Sequence, residues 1–88
     1  MDFKDLRYFI AVYEAKGFRK ASEVLGTVQS NVSARILNLE GALGGPLFER
    51  QWRKVAPTDK GEKLYAHAKE TLAALDQTER KFKFPSAA

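Results

Sequence analysis

Ala21-Ser22-Glu23-Val24-Leu25-Gly26-Thr27-Val28-Gln29-Ser30-Asn31-Val32-Ser33-Ala34-Arg35-Ile36 is the stretch on which the fold turns. Before Gly26, Ala21, Val24 and Leu25 recur at helical spacing and are expected to line the inner face of a short helix that the glycine stops. After it, Val32, Ile36, Leu39 and Leu43 form one stripe of a second helix, expected over about 28–43 and ended by Gly44-Gly45-Pro46. Two helices joined by so short a glycine-containing link must cross steeply, which is helix-turn-helix geometry.

Upstream, Leu6, Phe9, Ile10 and Tyr13 share a face of a helix expected from about Phe3 to Ala15, capped by Asp2 with Asp5 in its first turn and ended by Gly17. Phe18 is expected to plug the core between this helix and the next. Downstream, Leu47-Phe48 and Val55-Ala56-Pro57 read as short strands around a polar, basic loop over about 49–54, making a two-stranded wing. Thr58 then caps a long helix from Asp59 to near Lys81, with Leu64, Ala68, Leu72 and Leu75 along one stripe and Phe82 prolonging it. The spacing predicts a mainly α fold, a three-helix core with a two-stranded wing and a long C-terminal helix.

The chain is 88 residues long, which leaves material for one core that buries roughly 60–65% of the unfolded surface, and little for an elaborate active site. Without cysteine and with a single histidine, His67, there is no basis for a disulfide framework, a thiolate nucleophile or a Cys- or His-built metal site. His67 has no predictable Ser or carboxylate partner, and Gly44-Gly45 does not open a phosphate loop. No enzyme activity, cofactor or metal is therefore expected. Met1–Leu6 carries Asp2, Lys4 and Asp5 in place of a basic stretch and apolar run, and no apolar run could span a bilayer, so a cytoplasmic location without membrane contact is expected.

Fifteen Lys plus Arg against 11 Asp plus Glu leave a net charge of +4, a modest excess whose placement matters more than its size. On the helix over 28–43, at 100° per residue, Ser30, Ala34, Leu37 and Gly41 lie opposite the buried stripe, with Gln29 and Ser33 on one flank and Asn31, Arg35 and Asn38 on the other. Short, polar, neutral side chains there suit close approach to a partner surface. Gln29 could form a bidentate pair with adenine, Ser30, Asn31 and Ser33 could reach bases or phosphates, Arg35 could pair with guanine or phosphate, and Ala34 or Leu37 could meet a thymine methyl. The plainer reading, that Gln29-Ser30-Asn31 only solvates a helix start, stays open. Arg50, Arg53 and Lys54 concentrate charge in the wing, with Lys60 and Lys63 on the next helix; they either hold phosphates or form a solvated loop. Trp52 among them anchors the wing on the domain or packs on a sugar.

Taken together, Leu6-Arg7-Tyr8-Phe9-Ile10-Ala11-Val12, Phe18 with Ala21-Ser22-Glu23-Val24-Leu25, Gln29 to Ile36, Leu39-Glu40, Leu43-Gly44, Pro46-Leu47-Phe48-Glu49-Arg50 and Pro57-Thr58 with Gly61 resemble the N-terminal DNA-binding domain of LysR-type transcriptional regulators, over about Phe3 to Leu75. The resemblance implies a bacterial-type regulator. Residues 1–58 would be a winged helix-turn-helix unit with its third helix in the major groove and its wing at the minor groove, 59–82 a linker and dimerisation helix, and 83–88 a flexible tail. It implies Gln29, Ser30, Asn31 and Ser33 as groove-facing and Arg53 as the wing arginine. Leu64, Ala68, Leu72 and Leu75 are then expected at a homodimer interface, and the partner is a double-stranded operator with an interrupted inverted repeat.

Members of the family carry a larger effector-binding C-terminal domain, expected to be absent from these 88 residues, so a small-molecule effector or a higher oligomer would belong to a full-length protein. Val28 stands where the family usually has a capping Ser or Thr, Arg19 replaces a small hydroxyl, Ser30 replaces a frequent proline and Ala34 a frequent basic residue, for which Arg35 could compensate. The alternative from another class is a winged-helix protein–protein interaction module.

Overall fold

The computed structural model describes residues 1–51 and 54–83. Trp52, Arg53 and residues 84–88 of the expected tail lie outside the described residues. The order is α1 (Phe3–Ala15), α2 (Phe18–Leu25), α3 (Gln29–Leu43), β1 (Phe48–Gln51), β2 (Lys54–Pro57) and α4 (Asp59–Phe82). This is the mainly helical fold with a two-stranded antiparallel wing and a long final helix that the spacing predicts.

Helix α1 opens on a capping box. The Asp5 amide donates to Asp2 Oδ1 at 2.8 Å, and Asp5 Oδ2 accepts from the Asp2 amide at 3.1 Å, satisfying two donors that the helix start leaves open. The left-handed residue that ends it is Lys16 (φ 58°), not the expected Gly17, which instead becomes the N-cap of α2. The buried residues of α1 are Leu6, Tyr8, Phe9 and Val12, whereas Ile10 and Tyr13 are half-buried. The shift from the expected stripe arises because α1 packs against α2, α3 and α4 together, so a wider arc is covered than a single facing helix would cover.

Phe18 and Ala21 bury their side chains, as does Ser22, whose hydroxyl donates to the Arg19 carbonyl at 2.6 Å. Val24, expected inside, is 78% exposed, since the eight-residue helix has only one covered face and Ala21 and Leu25 occupy it. Gly26 (φ 68°) supplies the left-handed turn. Val28 is the N-cap of α3 and offers no side-chain bond, so α3 starts without a side-chain cap, and Thr27 Oγ1 accepts from the Asn31 amide group instead.

The strands pair as Phe48↔Pro57, Glu49↔Ala56, Arg50↔Val55 and Gln51↔Lys54. Leu47 thus lies before β1, and Glu49–Gln51 with Lys54, read from sequence as loop, are paired strand. They are polar and exposed, so the ladder rests on backbone bonds that apolar patterning does not report. Phe9, Val12, Ala21, Val32, Ile36 and Leu47 form the fully enclosed centre, and Phe48 carries the wing onto it, its ring 5.3 Å from that of Phe9 and edge-on to Phe18 at 6.2 Å.

Thr58 locks the start of α4. Its hydroxyl accepts from the Gly61 amide at 3.1 Å and donates to the Pro46 carbonyl at 2.8 Å, while its own amide donates to the Leu47 carbonyl at 2.9 Å. Helix α4 then runs for 24 residues, and the molecule measures 54 × 25 × 19 Å. Among the described residues no helix is long and apolar enough to cross a membrane.

Candidate nucleic-acid interface

Ser30, Ala34, Leu37 and Gly41 are exposed along the outer face of α3, and Gln29 is exposed at its first turn. Gln29, Ser30 and the half-buried Ser33 make no side-chain hydrogen bond among the described residues, so their donors and acceptors are open to an outside partner.

Two other sequence candidates turn elsewhere. Asn31 directs its Nδ2 to Thr27 Oγ1 (3.0 Å) and to the Tyr8 hydroxyl (3.3 Å), which ties its donor to α1. Arg35 turns back onto α1. Its Nη1 donates to Asp5 Oδ1 at 2.8 Å and lies 3.8 Å from Asp2 Oδ1, and the guanidinium carbon sits 5.2 Å from the centre of the Tyr8 ring. The physical reason is the capping box of α1, which presents two carboxylates to the flank of α3. Asp2 is held below the usual carboxylate range, first by the Asp5 amide and also by Arg35.

Positive charge gathers at one depression of about 470 Å³ between the α1–α2 corner and the wing, where Lys16, Arg19, Lys20, Arg50 and Lys54 line the walls with Gln29 at the rim. The Arg50 guanidinium is held 4.4 Å from the centre of the Phe18 ring, which fixes a wing cation against the body. Lys16, Arg19 and Lys20 were missed as partners of the wing. Their signal was present as a cation run beside a helix start without a side-chain cap, but nothing local says that the wing folds back over it. Lys60 and Lys63, grouped with the wing from sequence, are engaged elsewhere: the Lys60 ammonium donates to the Leu43 carbonyl, and Lys63 lies 4.0 Å from Asp59. The expected wing arginine, Arg53, and Trp52 lie outside the described residues.

The stripe expected at a dimer interface is largely spent within the protomer. Ala68 is 1% exposed, and Leu64 and Leu72 pack on the same core, because this face of α4 lies along α1. Leu75 is half-buried and is the one member of that set not packed on the core cluster. Phe82 near the far end of α4, and Met1 and Phe3 at the start of α1, are large and exposed. Among the described residues no cluster of His, Cys, Asp or Glu could hold a metal ion, and His67 is exposed.

Against known proteins, residues 3–62 match the family model described as bacterial regulatory helix-turn-helix protein, lysR family. The chain is similar to the Hca operon transcriptional activator HcaR of Escherichia coli (strain K12), 43% identical over 79 residues that are 90% of this chain and 26% of that protein. It spans about a quarter of the length of such curated relatives. The fold superimposes on the BenM DBD in complex with catB site 1 DNA, with a TM-score of 0.91 and 40% identity over 94% of this chain and 92% of that one. It also superimposes on the CbnR DBD–DNA complex, with a TM-score of 0.89 and 31% identity over 92% and 93%.

Proposed function

This chain belongs to the LysR family of bacterial regulatory helix-turn-helix proteins, and from that membership we propose that it binds double-stranded DNA sequence-specifically, as part of a transcriptional regulator. The observation that carries the reading is the separation of charge on one side of the molecule: α3 offers Gln29, Ser30 and Ser33 on a neutral face, and the depression beside it gathers five cations. Neutral hydrogen-bonding groups suit base edges, whereas cations suit phosphates, which give affinity and register without sequence information. The relatives support it, since HcaR is a transcriptional activator and the BenM and CbnR domains were crystallised with DNA.

In this reading residues 1–58 are the DNA-binding unit and α4 is the linker that pairs two copies, so that two α3 helices address two half-sites of an interrupted inverted repeat. With Ala68 enclosed in the protomer, the pairing contact falls to apolar groups left uncovered, Met1 and Phe3, which line a depression with Thr71 of α4, and Leu75 and Phe82 further along that helix. The site of action is the cytoplasm, and the role is regulatory, not catalytic. Effector response belongs to the regulator as a whole.

The test is selection of bound sequences from random duplex DNA. Enrichment of one motif built of two related half-sites is expected, with binding that weakens steeply as salt is raised. No enrichment, with salt-independent association to a protein target, would instead favour a winged-helix protein–protein module.

A further inference from the structure

Helix α4 is joined to α1 by a reciprocal pair of contacts that the DNA-binding reading does not use. The rings of Tyr13 and Tyr65 stack with centroids 3.8 Å apart and planes 7° from parallel. The Tyr13 hydroxyl donates to Glu62 Oε2 at 2.8 Å, and the Tyr65 hydroxyl donates to Glu14 Oε2 at 2.6 Å. Each helix thus contributes one tyrosine and one carboxylate, and the two bonds run in opposite directions across the joint. Lys69 adds a third tie to Glu14 at 3.4 Å.

Such a joint resists motions that the neighbouring aliphatic contacts tolerate. Leu64, Ala68 and Leu72 can slide or tilt on α1 with little change in buried area, since apolar attraction has no direction. Two charge-assisted hydrogen bonds and a parallel stack do have direction, and both are lost by a small rotation. From Tyr65 to Phe82 the helix extends about 26 Å, so a pivot of about 10° at the joint would move its far end about 4–5 Å, more than the 3.4 Å rise of one base pair. An aliphatic joint alone would leave that end, and any second copy attached along it, uncertain by about a base-pair step.

We infer that the Tyr13–Tyr65 clasp is a specificity-determining device, which holds the angle between α4 and the DNA-binding unit and thereby sets the half-site spacing that a dimer of this chain accepts. This rests on the dimeric DNA-binding reading above. Both tyrosines are positioning residues, and neither belongs to the groove-facing set.

The test is spacing selection on a library in which two copies of the selected half-site are separated by every gap from zero upward, read for the parent, Tyr65→Phe and Tyr65→Leu. The ratio of bound parent at the best gap to that one base pair away should fall at least about threefold in Tyr65→Leu, less in Tyr65→Phe, which keeps the stack. Half-site sequence and affinity for a lone half-site should stay unchanged in both. Equal ratios in all three proteins would overturn the inference. If Tyr65→Leu loses its helical circular dichroism, the double variant Tyr13→Phe with Tyr65→Phe decides instead: a lowered ratio supports the clasp and an unchanged one overturns it. A parent that enriches half-sites without a preferred gap leaves DNA binding standing and removes the clasp's role, whereas a parent that enriches no sequence removes both.

Discussion

Arg35 of α3 reaches across to Asp5 of α1, its Nη1 2.8 Å from Asp5 Oδ1, so a cation on one helix is held by the capping box of another. The pair is partly covered, with 28% and 14% of the two side chains exposed, and the Arg35 Nε is buried without a hydrogen-bond partner among the described residues. That places it between a free surface ion pair and an enclosed one. Arg35→Ala is expected to cost about 1–2 kcal/mol of stability. Asp5→Ala should cost a similar amount, and the double variant less than the sum. Thermal melts of the four proteins check this, and a change in the selected base at one operator position in Arg35→Ala would return Arg35 to the readers.

Gln29 is exposed in the first turn of α3, and its amide has no hydrogen-bond partner among the described residues. Gln29→Ala is expected to lose about 1–3 kcal/mol on the selected operator and much less on random duplex. Asn31→Ala, by contrast, should lower the melting temperature, because it removes the ties to Thr27 and Tyr8. Titration of each variant on both duplexes, alongside a melt, separates reading from support.

The basic depression joins residues from two distant segments. Lys16→Ala, Arg19→Ala and Arg50→Ala are each expected to reduce the slope of log affinity against log salt by about 1 and to weaken specific and random duplexes alike. Unchanged slopes in all three would place the DNA backbone elsewhere. Arg50→Ala should in addition lower stability slightly through its lost contact with Phe18.

Gly61 is buried where α4 meets the entry to β1, and a Cβ there would run into the Leu47 carbonyl oxygen. Backbone that is itself bonded to Thr58 cannot move aside easily. Gly61→Ala is expected to cost about 3 kcal/mol, read as a lower denaturation midpoint, whereas Gly41→Ala, in open space on α3, should be neutral or slightly stabilising.

The clasp carries its own pH dependence. Glu14 is held below the usual carboxylate range, chiefly by the Tyr65 hydroxyl and also by Lys69, while Tyr13 and Tyr65 are raised above the usual tyrosine value, chiefly by their bonds to Glu62 and Glu14. A lowered carboxylate stabilises the fold above its unfolded value of about 4.3 and loses that contribution as pH falls through the folded value. A raised tyrosine stabilises it below about 10 and loses that contribution as pH rises through the folded value. The difference in melting temperature between the parent and Tyr65→Phe should therefore be level from about pH 5 to 9 and shrink as the solution is made more acidic. A difference that grows on acidification would contradict the assignment.

Much of this was legible in local order. The apolar periodicity of Val32, Ile36 and Leu39, the N-caps at Asp2 and Thr58 and the stops at Gly26 and Gly44 are each decided within a few residues, so the helices and the neutral face of α3 follow from the chain alone. What local order does not contain is the partner of a side chain far along the chain. Arg35 and Asp5 stand 30 positions apart, and Tyr65 and Glu14 stand 51 apart. A helical wheel gives the direction of Arg35 and Ala68, but not whether a carboxylate, a core or water waits there. Only the tertiary structure decided that Arg35 braces α1, that Ala68 is enclosed in its own protomer and that Lys16 joins the wing. The reason is that spacing encodes which face of an element is apolar, whereas the packing of three elements on α1 decides what each face meets.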